Sequence, residues 1–317
     1  MQDITHQNFE AELVNASLTQ PVLLDLWAPW CGPCKTLGPV LEKLETDYAG
    51  RFKLTKLNAD LEPEIAQQLS QMFGVRSIPF CVLFSGGQPV DGFVGALPEA
   101  EVRKFLDKHV PSAGEAAALE NTHEAEALLA DGDVVSALDK LRAAVSADPA
   151  NDTARYEYLR ALLDSGQTDE AVSVYAPVAR QPLLDARLVA IGHWLEAIGV
   201  AVSARSADDL AAALVTDKRD FGSRFELAQI HLARGDFAAA MDELLEILMR
   251  DKTWRDDSAR KLYVAALQLL QPHGVEGARN ANSSVAAEPR VIATAAGTTP
   301  ERSVVDGYRR KLSMILF

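Results

Sequence analysis

The sequence predicts an α/β sandwich built on a mixed sheet over residues 1–110, followed by an all-α body of helix–turn–helix repeats over residues 112–270. Three observations lead there. Apolar runs of strand length alternate with segments of helical spacing through the first hundred residues. Beyond them, a glycine followed five positions later by an alanine recurs at a spacing of 34 residues. All three cysteines lie by residue 81, two of them in one tight motif, and the long remainder of the chain has none.

The elements follow in order. PVLLDLWAPW, residues 21–30, reads as a buried strand led in by a proline, with Asp25 interrupting its apolar run. CGPCKTLGPVLEKLETDYAG, residues 31–50, has helical spacing at Leu37, Leu41 and Leu44 and is closed by Gly50. KLTKLNAD is a second strand, and EIAQQLSQMFGV a helix that stops near Gly74. IPFCVLF is a third strand, GGQP a turn, VDGFVGAL a fourth strand and PEAEVRKFLDKHV a terminal helix. Alternation that ends in a hairpin gives helices packed on a mixed sheet.

Composition narrows the function. Hydrophobic residues make up 48% and charged residues 24%, as in ordinary globular proteins, and 317 residues allow two or three domains. A formal charge of −14 argues against nucleic acid as a partner, because phosphate contacts need clustered Lys and Arg. The start, MQDITHQNFEAELVN, lacks the basic and apolar regions of a secretory signal, and no apolar run is long enough to span a membrane. Three cysteines do not make a secreted disulfide framework, so the expected location is cytoplasmic.

WCGPCK after a buried strand, Ser-Ile-Pro before another, and VGAL after a hairpin together resemble thioredoxin, across residues 1–110. A CxxC is also half a zinc site, but no second CxxC or His pair accompanies it, so neither a metal nor another cofactor is expected. The resemblance places Cys31 at a helix N-terminus, where unpaired N–H groups and the helix dipole favour the thiolate and pull its pKa from about 8.5 toward about 7. Cys34, one turn on, would resolve the mixed disulfide. Pro33 fits the first helical turn, where its missing N–H has no partner anyway. By the same resemblance Asp25 relays the proton of Cys34 and Lys56 stands beside it; the alternative is a buried carboxylate with a structural role only.

The resemblance also implies that the Ile78–Pro79 bond is cis and faces the dithiol. Trp30, Gly32, Pro33, Ile78, Pro79 and Gly95 would then form the surface on which an extended client docks. Phe80 replaces the threonine usual after this proline, which makes that surface more apolar. Cys81, in a strand of large apolar residues, reads as a small core residue rather than a reactive thiol. Between Asp60 and Gly74 the chain is longer than small thioredoxins, consistent with a slightly longer helix.

In the body, ADGDVVSALDKL and DSGQTDEAVSVY align Gly132 with Gly166 and Ala137 with Ala171, and ARGDFAAAMDEL adds Gly235 and Ala240 two periods plus one residue later. The glycine lets the chain turn; the alanine lets two helices approach. These units resemble tetratricopeptide repeats, without the usual first-helix Trp and Gly. The intervening unit, 184–217, keeps helical spacing at Leu188, Ile191, Leu195 and Ile198 but not the consensus. Such an array is either a curved surface for extended segments and partner helices or a packed helical spacer.

From Gln271 to about Ser303, Gly, Ala, Ser, Thr and Pro dominate without period, the composition of a flexible linker over 271–303. A C-terminal amphipathic helix is expected over 304–317, with Tyr308, Leu312, Ile315 and Leu316 on one face and Arg309, Arg310 and Lys311 beside it. Four buried anchors give about 6–12 kcal/mol gross, and ordering about ten residues offsets at least as much. Two readings are open: the helix engages a partner weakly and reversibly, or it folds back to cap the repeats.

Taken over nearly the whole chain, this order of parts resembles the bacterial chaperedoxin family, with GQPVDGFVG and GYRRKLSMILF the phrases that carry the likeness. The departures are the long linker and the complete CxxC, since some members lack the first cysteine. The resemblance implies a redox-linked holdase. It would bind unfolding client proteins, protect their cysteines by mixed disulfides at Cys31, and pass them to a GroEL-type chaperonin through Tyr308, Arg309, Arg310, Leu312, Ile315 and Leu316. Thioredoxin- or glutathione-type reducing systems are the partners expected to recycle the dithiol. The competing reading is a protein-disulfide reductase whose helical body selects its substrates.

Overall fold

The computed structural model describes residues 2–271 and 300–316, so most of the expected linker lies outside the described residues. It forms two compact units, residues 1–117 and 118–317.

The first unit is a five-stranded mixed sheet in the order β1-β3-β2-β4-β5. The strands are β1 (Gln2–Asp3), β2 (Val22–Trp27), β3 (Lys53–Asn58), β4 (Phe80–Ser85) and β5 (Gln88–Val94). β2 runs parallel to β3 and antiparallel to β4, and β4 and β5 form the hairpin expected at Gly86–Gly87. Both glycines have positive φ. One face, carrying Leu23, Leu54, Cys81 and Leu83, packs against α1 (Gly32–Asp47) and α3 (Glu99–His109). The other, carrying Val22, Leu24, Leu26, Val82 and Phe84, packs against α2 (Pro63–Phe73) and the turn at Glu10–Leu18. Side chains alternate across the pleat, so β2 is buried on both faces and reads as a near-continuous apolar run. β1 and the Glu10–Leu18 turn were not foreseen; a two-residue strand has no period to detect. α2 ends with Gly74 in the left-handed conformation, where a glycine carries no Cβ penalty.

Among the described residues the second unit is all helix, and its first helix begins at Ala113, just before the boundary. Its helices are α4 (Ala113–Ala130), α5 (Val134–Ala147), α6 (Asp152–Asp164), α7 (Thr168–Tyr175), α8 (Ala186–Ala201), α9 (Ala207–Thr216), α10 (Phe221–Ala233), α11 (Phe237–Leu248), α12 (Trp254–Leu269) and α13 (Pro300–Leu316). Gly132, Gly166 and Gly235 sit in the α4–α5, α6–α7 and α10–α11 turns at φ of +83°, +76° and +80°, and Ala137, Ala171 and Ala240 are fully buried one turn inside the following helix. The recurring Gly–Ala pair therefore has two physical causes, a left-handed turn and a close helix approach. The intervening unit is also a helix pair, α8 and α9, joined without the glycine. Asp133, Asn151, Asp185, Ser206 and Asp220 accept hydrogen bonds from backbone N–H groups at the starts of α5, α6, α8, α9 and α10.

α13 begins at Pro300, four residues earlier than expected, because proline is well placed in a first helical turn. The linker assignment of residues 300–303 is thereby corrected.

Candidate active site

Cys31 caps the N-terminus of α1 and is joined to Cys34 by a disulfide. The backbone N–H of Cys34 points at Cys31 Sγ from 3.2 Å, a donor available to a thiolate there. Both cysteines are nearly buried, packed with Ala28, Trp27 and Ile78. Pro33 lies in the first turn, and a Cβ on Gly32 would meet nothing within 4 Å, so open surface adjoins the disulfide.

Asp25 and Cys34 line one cavity of about 230 Å³, together with Trp27, Gly38, Glu42 and Lys56. Strand register explains how Asp25 arrives there. Asp25 on β2 stands opposite Lys56 on β3 and Cys81 on β4, on the sheet face beneath α1. The carboxyl is 2% exposed, and burial pushes its pKa up to about 6 against the Lys56 charge and the Cys81 thiol, which both pull it down. Lys56 Nζ is itself held by Glu42 Oε1 at 3.0 Å. A carboxyl poised near neutrality, sharing a cavity with a cysteine, can take up and return a proton.

Around the disulfide, the Ile78–Pro79 bond is cis. The Pro79 carbonyl accepts a hydrogen bond from Gly95 N at 2.8 Å, and Gly95 adopts φ of +89°, which an L side chain would strain. Trp30 is 71% exposed, and its indole N–H donates to Asp60 at 3.0 Å. Exposed Trp30 and open Gly32 thus flank Cys31 in sequence, and Ile78 packs against the cysteine pair. Sequence reasoning missed Glu42, Asp60 and the contact of Cys81 with Asp25. Carboxylates at such separations in sequence give no local signal, and a thiol in an apolar strand looks like core.

The C-terminal candidates lie elsewhere, within the second unit. Tyr308, Leu312 and Ile315 pack against the repeat core, and Val305, which was not foreseen, is 4% exposed. Tyr263 OH on α12 donates to the Tyr308 carbonyl at 2.9 Å, and Tyr308 OH donates to Asp242 on α11 at 3.1 Å. Burial and then the Asp242 charge push the Tyr308 hydroxyl up to about 12, so it remains a donor. Arg309 and Arg310 are exposed, with Arg309 near Asp306 at 3.4 Å. The side chain of Leu316 lies outside the described residues. Of the two readings left open by the sequence, the helix adopts the folded-back one, with three of the expected partner anchors turned inward.

Among the described residues no cluster of His, Cys, Asp and Glu is arranged to hold a metal ion, and no helix is long and apolar enough to cross a membrane.

Comparison with known proteins covers both units. The thioredoxin family profile matches residues 1–108, and two tetratricopeptide repeat profiles match residues 128–191 and 200–285. The first unit is 46% identical over 108 residues to Thioredoxin 2 of Chlorobaculum tepidum, covering 34% of this chain and 94% of that protein. It is 43% identical over 113 residues to a thioredoxin of Haemophilus influenzae, covering 35% of this chain and 100% of that protein. A third relative, Thioredoxin 1 of a Nostoc species, is 41% identical over 107 residues, covering 34% of this chain and 94% of the relative.

Proposed function

The chain belongs to the thioredoxin family and extends that domain with tetratricopeptide repeats, and from this premise we propose that it is a redox-linked holdase. The observation that carries the redox half is the Cys31–Cys34 pair at the start of α1, with Cys34 sharing a cavity with Asp25. In the reduced protein, the Cys31 thiolate attacks a client disulfide, forms a mixed disulfide and expels one client thiolate. Cys34 then attacks Cys31 Sγ, re-forming the Cys31–Cys34 disulfide and releasing the second client thiolate. Asp25 accepts the Cys34 proton, and Lys56 steadies the charge that this leaves on the carboxylate. Trp30, Gly32, Pro33, Ile78, Pro79 and Gly95 dock the extended client backbone beside the sulfurs.

The repeats supply the non-covalent grip. They contain no cysteine, and stacked helix pairs offer a long surface for unfolding chains. The C-terminal helix hands the client to a GroEL-type chaperonin. Arg309 and Arg310 make first contact, Tyr308, Leu312 and Ile315 transfer from the repeats to the partner, and Leu316 joins them there. Docking on α11 and α12 lowers the apparent affinity for the chaperonin by the fraction of time the helix is shut, which keeps that encounter reversible. The setting is the cytoplasm, with a thioredoxin- or glutathione-type system as reductant.

The test is capture with Cys34→Ala. That variant traps clients on Cys31 as mixed disulfides and retains the chaperonin in the same eluate after reduction. Removal of residues 300–317 from it is expected to leave the trapped clients and lose the chaperonin. Retention of the chaperonin without the helix rejects the assignment of the tail. Absence of trapped protein clients rejects the exchange reaction.

A further inference from the structure

The third cysteine has no place in the exchange reaction, yet its position is not that of an idle core residue. Cys81 is wholly buried in β4 and is the register partner of Asp25 on β2. Its sulfur lies 3.8 Å from Asp25 Oδ1, within reach of an S–H donated to the carboxylate. On the far side of Asp25, the β3 partner is Lys56. The carboxyl is thus bracketed along one row of the sheet by a cation and a thiol. The titratable groups facing it are Lys56 from β3, Cys81 from β4, and Cys34 and Glu42 from α1, which share or border its cavity.

We propose that Cys81 is a positioning residue for proton relay: its thiol donates a hydrogen bond that fixes the Asp25 carboxylate and favours its ionised form, keeping it an acceptor for the proton of Cys34. This rests on the relay reading of Asp25. The chemistry is consistent on both sides of the bond. Burial, then the Asp25 charge, push the Cys81 thiol well above its ordinary range, so it stays protonated and remains a donor at physiological pH. The bond in turn lowers the Asp25 pKa, opposing the larger effect of burial. The proton moving in the reaction passes from Cys34 to Asp25; Cys81 keeps its own throughout.

The experiment uses the full chain with Cys81→Val, which removes the donor at similar volume, and Cys81→Thr, which has the shape of valine and restores a hydroxyl donor. Asp25 is titrated by its carboxyl carbon-13 resonance, and the pH dependence of mixed-disulfide resolution by Cys34 is followed on a small disulfide. The valine variant is expected to raise the Asp25 midpoint by about half a pH unit and to move the acid limb of the resolution rate with it, and the threonine variant to return both. A steric role alone would affect valine and threonine alike. An unmoved Asp25 midpoint in Cys81→Val overturns the proposal. A midpoint that moves while the rate profile stays, with Asp25→Asn also resolving at the parent rate, instead overturns the relay on which it rests. Should Cys81→Val fold poorly, Cys81→Ala gives the same reading: lower stability from the cavity, but the same raised midpoint.

Discussion

Asp25 burdens the fold that contains it. Its carboxyl is buried, and its pKa rises from an ordinary 3.8 to about 6, so the folded protein keeps a proton that the unfolded chain releases. The contribution of Asp25 to stability therefore falls as pH rises from about 4 to about 6, and is level above that window. Two pH units correspond to about 3 kcal/mol. Asp25→Asn is accordingly expected to stabilise the oxidised protein at pH 7 by up to about 3 kcal/mol and to have little such effect at pH 4, read from denaturant unfolding at both values. On the proposed relay, the same variant is expected to slow resolution by Cys34. A gain in stability with a loss of rate is the signature of a group retained for chemistry. Asp25 was legible in the sequence because a lone carboxylate broke an apolar strand. Cys81 was not, because only the strand register places its sulfur against that carboxylate.

Among elements, the repeat turns make sharp predictions. At Gly166, φ of +76° puts a side chain in the left-handed region, so Gly166→Ala is expected to destabilise the helical unit by about 1–2 kcal/mol. Ala171 is fully buried, and Ala171→Leu is expected to cost about 1–3 kcal/mol by overpacking. Thermal melting of each full-length variant checks both. The C-terminal helix should detach rather than unfold the body. Leu312→Asp with Ile315→Asp introduces two charges against the repeat core, and hydrogen exchange is expected to speed up in α13 while α10 and α11 stay protected. Helices with strong apolar spacing and glycine stops were legible from sequence. Whether the tail faced inward was not, since an amphipathic stripe specifies that something is covered and leaves open what covers it; Asp242 and Tyr263 decide it here through Tyr308.

For the molecule as a whole, the proposed function assigns a different task to each unit. The first holds every cysteine and Asp25; the second holds the repeats and the docked helix. The order of these parts was legible because each carries a motif of its own, CGPC in one and a spaced Gly–Ala pair in the other. The proposed grip on clients is the part that no single motif specifies. Its most direct measurement is aggregation of a heat-denaturing client that contains no cysteine, with the full chain carrying Cys31→Ser and Cys34→Ser. Suppression equal to that by the parent chain is the predicted result, because the proposed grip does not use sulfur. Failure of both chains to keep that client in solution would contradict the account and leave a disulfide reductase with a substrate-selecting body.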